Sequence, residues 1–137
     1  MRNQSLLPAA LLLMAAPPLL AADDDATAIC AEAEERYVEM FGQASDTVED
    51  AEVVLMYKYN FCPAELTVQA GTTVRWVNVD KRTSHSVLLK DGSGPESDRL
   101  FPEESVDLTF LTPGPQEYLC GPHWETQNMI GMVTVEP

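Results

Sequence analysis

Cys120, His123 and Met129 are spaced so that three side chains can act on one point. The tail reads Cys120-Gly121-Pro122-His123-Trp124-Glu125-Thr126-Gln127-Asn128-Met129: a thiol, an imidazole three residues on, and a thioether six further. A loop of this length between two strands can fold back and aim all three inward. His85 is the only source of a second imidazole, because the chain has two histidines. Two imidazoles, a thiolate and a thioether suit copper in both oxidation states: the sulfur donors favour Cu(I), and the imidazoles tolerate Cu(II). A loop that holds a geometry acceptable to both states leaves little to rearrange when an electron arrives. Four protein ligands, His85, Cys120, His123 and Met129, leave no position for water or substrate. Such a site exchanges single electrons and has no place for bond chemistry, so no enzyme activity is expected. Zinc accepts one cysteine with two histidines, but the methionine argues against it. Met132 competes for the axial role; it lies inside the last strand, where core packing is the better reading. Met40 and Met56 read as packing residues.

These residues need a scaffold, and the sequence reads as short strands after Glu49. Strands are expected over 52–59, 65–69, 73–79, 84–89, 105–110, 116–120 and 130–135. Within 73–79, Val74 and Trp76, with Asn78, face one way, and Arg75, Val77 and Val79 the other. The stretch 90–102 is polar, with Gly92, Gly94 and Pro95, and reads as a loop; Pro113-Gly114-Pro115 reads as a turn. About seven such strands with regular turns predict an all-β fold, a β-sandwich. Before them, 26–44 reads as a helix, with Ile29, Ala33, Tyr37 and Met40-Phe41 at helical spacing and Gly42 as a stop.

The expected organisation is a secretory signal peptide over 1–22, an N-terminal helix and linker over 23–50, and one domain over 51–137. The leader reading rests on Arg2, the apolar run Leu6 to Leu20, the small residues Ala21 and Ala22, and the abrupt change to Asp23-Asp24-Asp25. It places the mature chain in the periplasm, and the absence of a second apolar span predicts no membrane insertion. The net charge is −14. Removing 1–22 takes away Arg2 and no acid, which gives −15. So acidic a chain does not bind nucleic acid through phosphates. It is attracted to partners with basic docking surfaces, mainly as a salt-sensitive effect on association rate.

The sequence resembles the cupredoxin family, which includes plastocyanin, pseudoazurin and amicyanin, from about Val53 to Pro137. The resemblance is carried by Phe61-Cys62-Pro63-Ala64-Glu65-Leu66-Thr67-Val68-Gln69-Ala70-Gly71, like the family's F-x-P-x-x-L-x-V-x-x-G. It continues through Val74-Arg75-Trp76-Val77-Asn78-Val79-Asp80, Ser84-His85-Ser86, the Cys120 loop and Met129-Ile130-Gly131-Met132-Val133-Thr134-Val135. It implies a Greek-key β-sandwich, with the helix as an addition, and one type 1 copper at one end. The histidine edge is expected to reach the surface inside an apolar patch that Trp124 enlarges or, alternatively, Trp124 packs on Pro122. A monomeric electron carrier between redox proteins is the implied role. The alternative is a copper-tolerance or copper-handling protein that sequesters or delivers the ion. Three departures stand out: Ser86 where the family often has Asn, a His123-to-Met129 spacing one residue longer than in plastocyanin, and the helix outside the resemblance.

Two cysteines remain. Strand alternation puts Phe61 and Cys62 on opposite faces, so a core Phe61 turns Cys62 outward. Cys30 lies on the apolar side of the helix. A Cys30–Cys62 disulfide would staple the helix to the outside of the sandwich; a second metal site is the rival reading, short of a spare histidine.

Overall fold

A computed structural model describes residues 21–137, with side chains from Asp24 onward. The leader expected over 1–22 lies outside the described residues, apart from the backbone of Ala21 and Ala22. The elements are α1 (Ala21–Phe41), a short 3-10 turn (Ser45–Thr47), β1 (Glu52–Tyr57), β2 (Asn60–Cys62), β3 (Glu65–Gln69), β4 (Thr72–Asn78), β5 (Leu88–Leu89), β6 (Ser105–Phe110), β7 (Gly114–Leu119), α2 (Trp124–Gln127) and β8 (Ile130–Glu136). Two four-stranded sheets, β2-β1-β4-β6 and β3-β8-β7-β5, form the sandwich. Parallel pairing of β1 with β4 and of β3 with β8 links strands distant in sequence.

The β2-β1-β4-β6 sheet is buried on both faces over half its width. Val54, Met56, Phe61, Val74 and Trp76 point into the inter-sheet core with Tyr118, Val133 and Val135. Leu55, Tyr57, Cys62, Val77 and Val79 point the other way, under Ala33 and Tyr37 of α1. This is why Val53-Val54-Leu55-Met56-Tyr57 is an unbroken apolar run rather than an alternating one. The remainder of the outer face is polar, where Arg75 pairs with Asp107 and Thr73 meets Thr109.

The Cys30–Cys62 disulfide is formed, across a sequence separation of 32. Phe61 and Cys62 do face opposite sides, and the second-metal reading is excluded because both sulfurs are bonded to each other. Closing a loop of that length stabilises the fold by about 3–4 kcal/mol through the unfolded chain. Met56 is fully buried in the inter-sheet core, and Met40, on α1, is half-buried against the helix-side cluster.

Several boundaries differ from expectation. The helix ends at Phe41, not 44, because Gly42 turns left-handed at φ 74° while its N–H still donates to Val38. Glu34 then captures both the N–H and the hydroxyl of Ser45, folding the linker back. The strand expected to 59 stops at Tyr57. Lys58 and Tyr59, at φ 46° and 61°, make the two-residue hairpin to β2. Of 84–89, only Leu88–Leu89 joins the sheet; the backbone of His85 and Val87 pairs with residues 97–100 instead. Gly114 and Pro115 open β7 rather than forming a turn. Pro115 fits because β5 reaches only Leu119 and Tyr118, so the missing N–H faces an open edge. Met132 is on the outer face of β8, partly exposed beside Ala64 and Glu65, and not in the core. The pleat dictates this, because its neighbours Gly131 and Val133 face inward.

Candidate metal centre

β7 delivers Cys120 just past its end, and β8 starts directly after Met129. The Cys120 N–H donates to the Met129 carbonyl at 3.1 Å and closes the base of the loop. Above it, the N–H groups of His123 and Trp124 donate to the Cys120 carbonyl at 3.1 and 2.9 Å. α2 fills the interval and ends at Asn128, left-handed at φ 52°, a conformation that asparagine tolerates.

His85 arrives from the other side. Its backbone exchanges two hydrogen bonds with Leu100, at 3.0 and 2.8 Å. Asn78, fully buried at the end of β4, secures this segment. Its side-chain amide donates to the carbonyls of Thr83 and Leu100, and its oxygen accepts from the Asp80 N–H. A buried amide with all these partners fixes the position of His85 as few apolar residues could.

The donor atoms of His85, Cys120 and His123 all lie within 4.8 Å of one another. The Cys120 sulfur is 3.7 Å from His85 Nδ1 and 3.4 Å from His123 Nδ1. Cys120 is the free thiol among the described residues, and it is buried. Met129 is buried in the same core cluster. The structure therefore brings three predicted ligands together and places the fourth at the end of their loop. Two imidazoles and a thiol with converging donor atoms fit copper.

The surroundings prepare these groups. His85 Nε2 lies 2.5 Å from the Asp80 carboxylate, which holds the proton on Nε2 and leaves Nδ1 free to face the sulfur. Burial alone pushes the His85 pKa down; Asp80 and the Cys120 sulfur outweigh it, and the net direction is up. His123, half-buried, is lowered by burial and then by the charge of His85, which favours the neutral, ligating form. The Ser86 N–H points at the Cys120 sulfur from 3.5 Å.

Three contributors were not picked out as such in the sequence. Asp80 stood in a quoted motif, five residues before His85, and a carboxylate at that distance was the available signal. Tyr59 was hidden inside an expected strand. Its ring meets His123 edge-to-face at 4.9 Å, and it shares the exposed surface with Trp124. Glu96, bonded to the Ser86 hydroxyl, carried no local signal in a polar loop.

Residues 48–136 match the family model described as copper binding proteins, plastocyanin/azurin family. The chain is 34% identical over 97 residues to amicyanin of Paracoccus versutus, covering 68% of this chain and 70% of the relative. It is 35% identical over 107 residues to halocyanin of Natronomonas pharaonis, covering 69% and 63%. Among solved structures, a reduced Cu(I) form of an amicyanin variant superposes with a TM-score of 0.57 at 31% identity, covering 69% of this chain and 90% of that one. A copper-containing nitrite reductase from Thermus scotoductus also superposes, with a TM-score of 0.55 at 29% identity, over 62% of this chain but 22% of the enzyme.

Proposed function

This chain belongs to the plastocyanin/azurin family of copper-binding proteins, and from that premise we propose that it carries single electrons between redox partners in the periplasm. The family binds one type 1 copper. Here His85, Cys120, His123 and Met129 would hold it. The observation that carries the reading is the convergence of two imidazole nitrogens and the buried Cys120 sulfur within 4.8 Å, at the one loop closed by Met129.

Bound copper supplies a centre that gains and loses one electron. The protein contributes rigidity and access. The two-way pairing of His85 with Leu100 and the Cys120–Met129 bond hold the donors in place whether or not the charge changes. The Asp80 carboxylate keeps its proton partner on His85 fixed. Cys120 and His85 are buried, which supports electron exchange rather than bond chemistry at this centre. The nitrite reductase similarity concerns a small part of a larger protein. His123 is the ligand with partial exposure, flanked by the exposed rings of Tyr59 and Trp124. Electrons cross through its imidazole to a partner seated on that surface. The net charge of −14 suits a partner with a basic face.

The test is to load the purified chain with copper and record its absorbance, with Cys120→Ser beside it. An intense thiolate-to-copper band that the variant lacks, together with rapid reversible reduction by a basic redox protein, is expected. A colourless copper-loaded protein refutes the site. A coloured protein that basic partners do not reduce refutes the carrier role.

A further inference from the structure

The family often places Asn after its first histidine ligand, and this chain has Ser86. The serine hydroxyl is buried and accepts the Gly121 N–H at 3.0 Å. It also donates to Glu96 Oε1 at 2.5 Å. Gly121 directly follows Cys120, and the Ser86 backbone N–H points at the Cys120 sulfur. A Cβ on Gly121 would lie 1.9 Å from Glu96 Oε1, so the carboxylate sits directly over Gly121 and any side chain there would displace it. The Glu96 segment is itself anchored: the Ser97 N–H donates to the Val87 carbonyl, and the Val87 N–H donates to the Ser97 hydroxyl, both at 2.9 Å.

We propose that Glu96 is a positioning residue for the copper loop, acting on Cys120 through Ser86 and Gly121. This rests on the reading of Cys120 as a copper ligand. A serine hydroxyl has one proton and two lone pairs. With its proton committed to a carboxylate, its lone pair is aimed at Gly121, and the acceptor is stronger for being next to a negative charge. Glu96 and Ser86 together thus link the His85 segment to the Cys120 segment, nearer the donor atoms than the β5–β7 pairing at Leu88–Leu89. The same carboxylate places a negative charge near the sulfur, which favours Cu(II) over Cu(I). Because Glu96 is exposed on its outer side, water moderates that charge effect.

The experiment compares native protein with Glu96→Gln, Glu96→Ala and Ser86→Ala. Hydrogen exchange of the Gly121 amide is measured in metal-free protein, and the Cu(I)/Cu(II) ratio is measured at a fixed redox poise in loaded protein. Glu96→Ala is expected to speed Gly121 exchange about tenfold, the equivalent of one ordinary hydrogen bond. Glu96→Gln keeps the acceptor, so exchange stays near native while the Cu(I)/Cu(II) ratio rises about threefold from loss of charge. Ser86→Ala is expected to reproduce the exchange of Glu96→Ala, and combining the two should add nothing. Gly121 exchange within twofold of native in Glu96→Ala, or full additivity of the two alanine variants, overturns the proposal. Because exchange is read without metal, failure of the copper reading shows separately, as a wild-type protein without a visible band.

Discussion

Removing the Cys30–Cys62 bridge should weaken the fold while leaving the copper centre untouched. The perturbation is the double variant Cys30→Ala/Cys62→Ala, preferred to a reductant because a thiol would also reduce Cu(II). The bridge closes a loop with a sequence separation of 32. The chain-entropy relation puts the loss at about 3.7 kcal/mol for a loop of that length. Truncating two buried or half-buried sulfurs adds of order 1 kcal/mol, for a total of about 4–5 kcal/mol. With a guanidinium slope of about 4 kcal/mol/M, the midpoint of unfolding falls by about 1 M. The copper band should keep its position and intensity, because Cys62 faces the helix cluster while Cys120 and Met129 belong to the inter-sheet core on the other face of the sheet. Chemical denaturation followed by tryptophan fluorescence, with absorbance in parallel, makes both measurements. An unchanged midpoint refutes the staple. A lost or shifted band refutes the separation of the two cores.

Gly131→Ala should destabilise the protein by about 2–3 kcal/mol in a thermal melt, because a Cβ there would lie 2.3 Å from the ring of the fully buried Tyr118. Asp80→Ala should weaken copper binding about 10–100-fold in a competition titration, since the buried His85 Nε2–H loses the carboxylate that orients it. Asp107, held by Arg75 below its ordinary value near 3.8, contributes stability at neutral pH that is lost as pH falls through its folded value. Asp107→Asn should therefore cost about 0.5–1 kcal/mol at pH 7, small because the pair is partly exposed, and the difference should disappear once pH has fallen through the folded-state value in urea titrations. Tyr59→Ala should slow reduction by a basic redox partner and leave the absorbance intact, because its ring borders His123 without supplying a donor atom.

What the sequence determined by itself was the chemistry and the alternation. The two histidines were the only imidazoles the donor set could use, and the Cys120-to-Met129 spacing put a thiol, an imidazole and a thioether in one loop. The pleat's period of two placed Phe61 inward and Cys62 outward, and from that the stapled helix followed. Tertiary structure alone decided what depends on pairing between distant segments. Nothing local in 84–89 says that its backbone will pair with residues 97–100 rather than with a strand. Nothing local in Lys58-Tyr59 says that two side-chain-bearing residues will turn left-handed and bring a ring to His123. The Met132 side chain was misplaced because its apolar character outweighed its strand parity. Glu96 was invisible for the same physical reason that makes it informative: a carboxylate in a polar loop looks solvated until the fold lays it against Ser86 and Gly121. The candidate ligands were legible because their types are rare; the groups that hold them were not, because hydrogen-bonding residues are common and only their final neighbours give them a role.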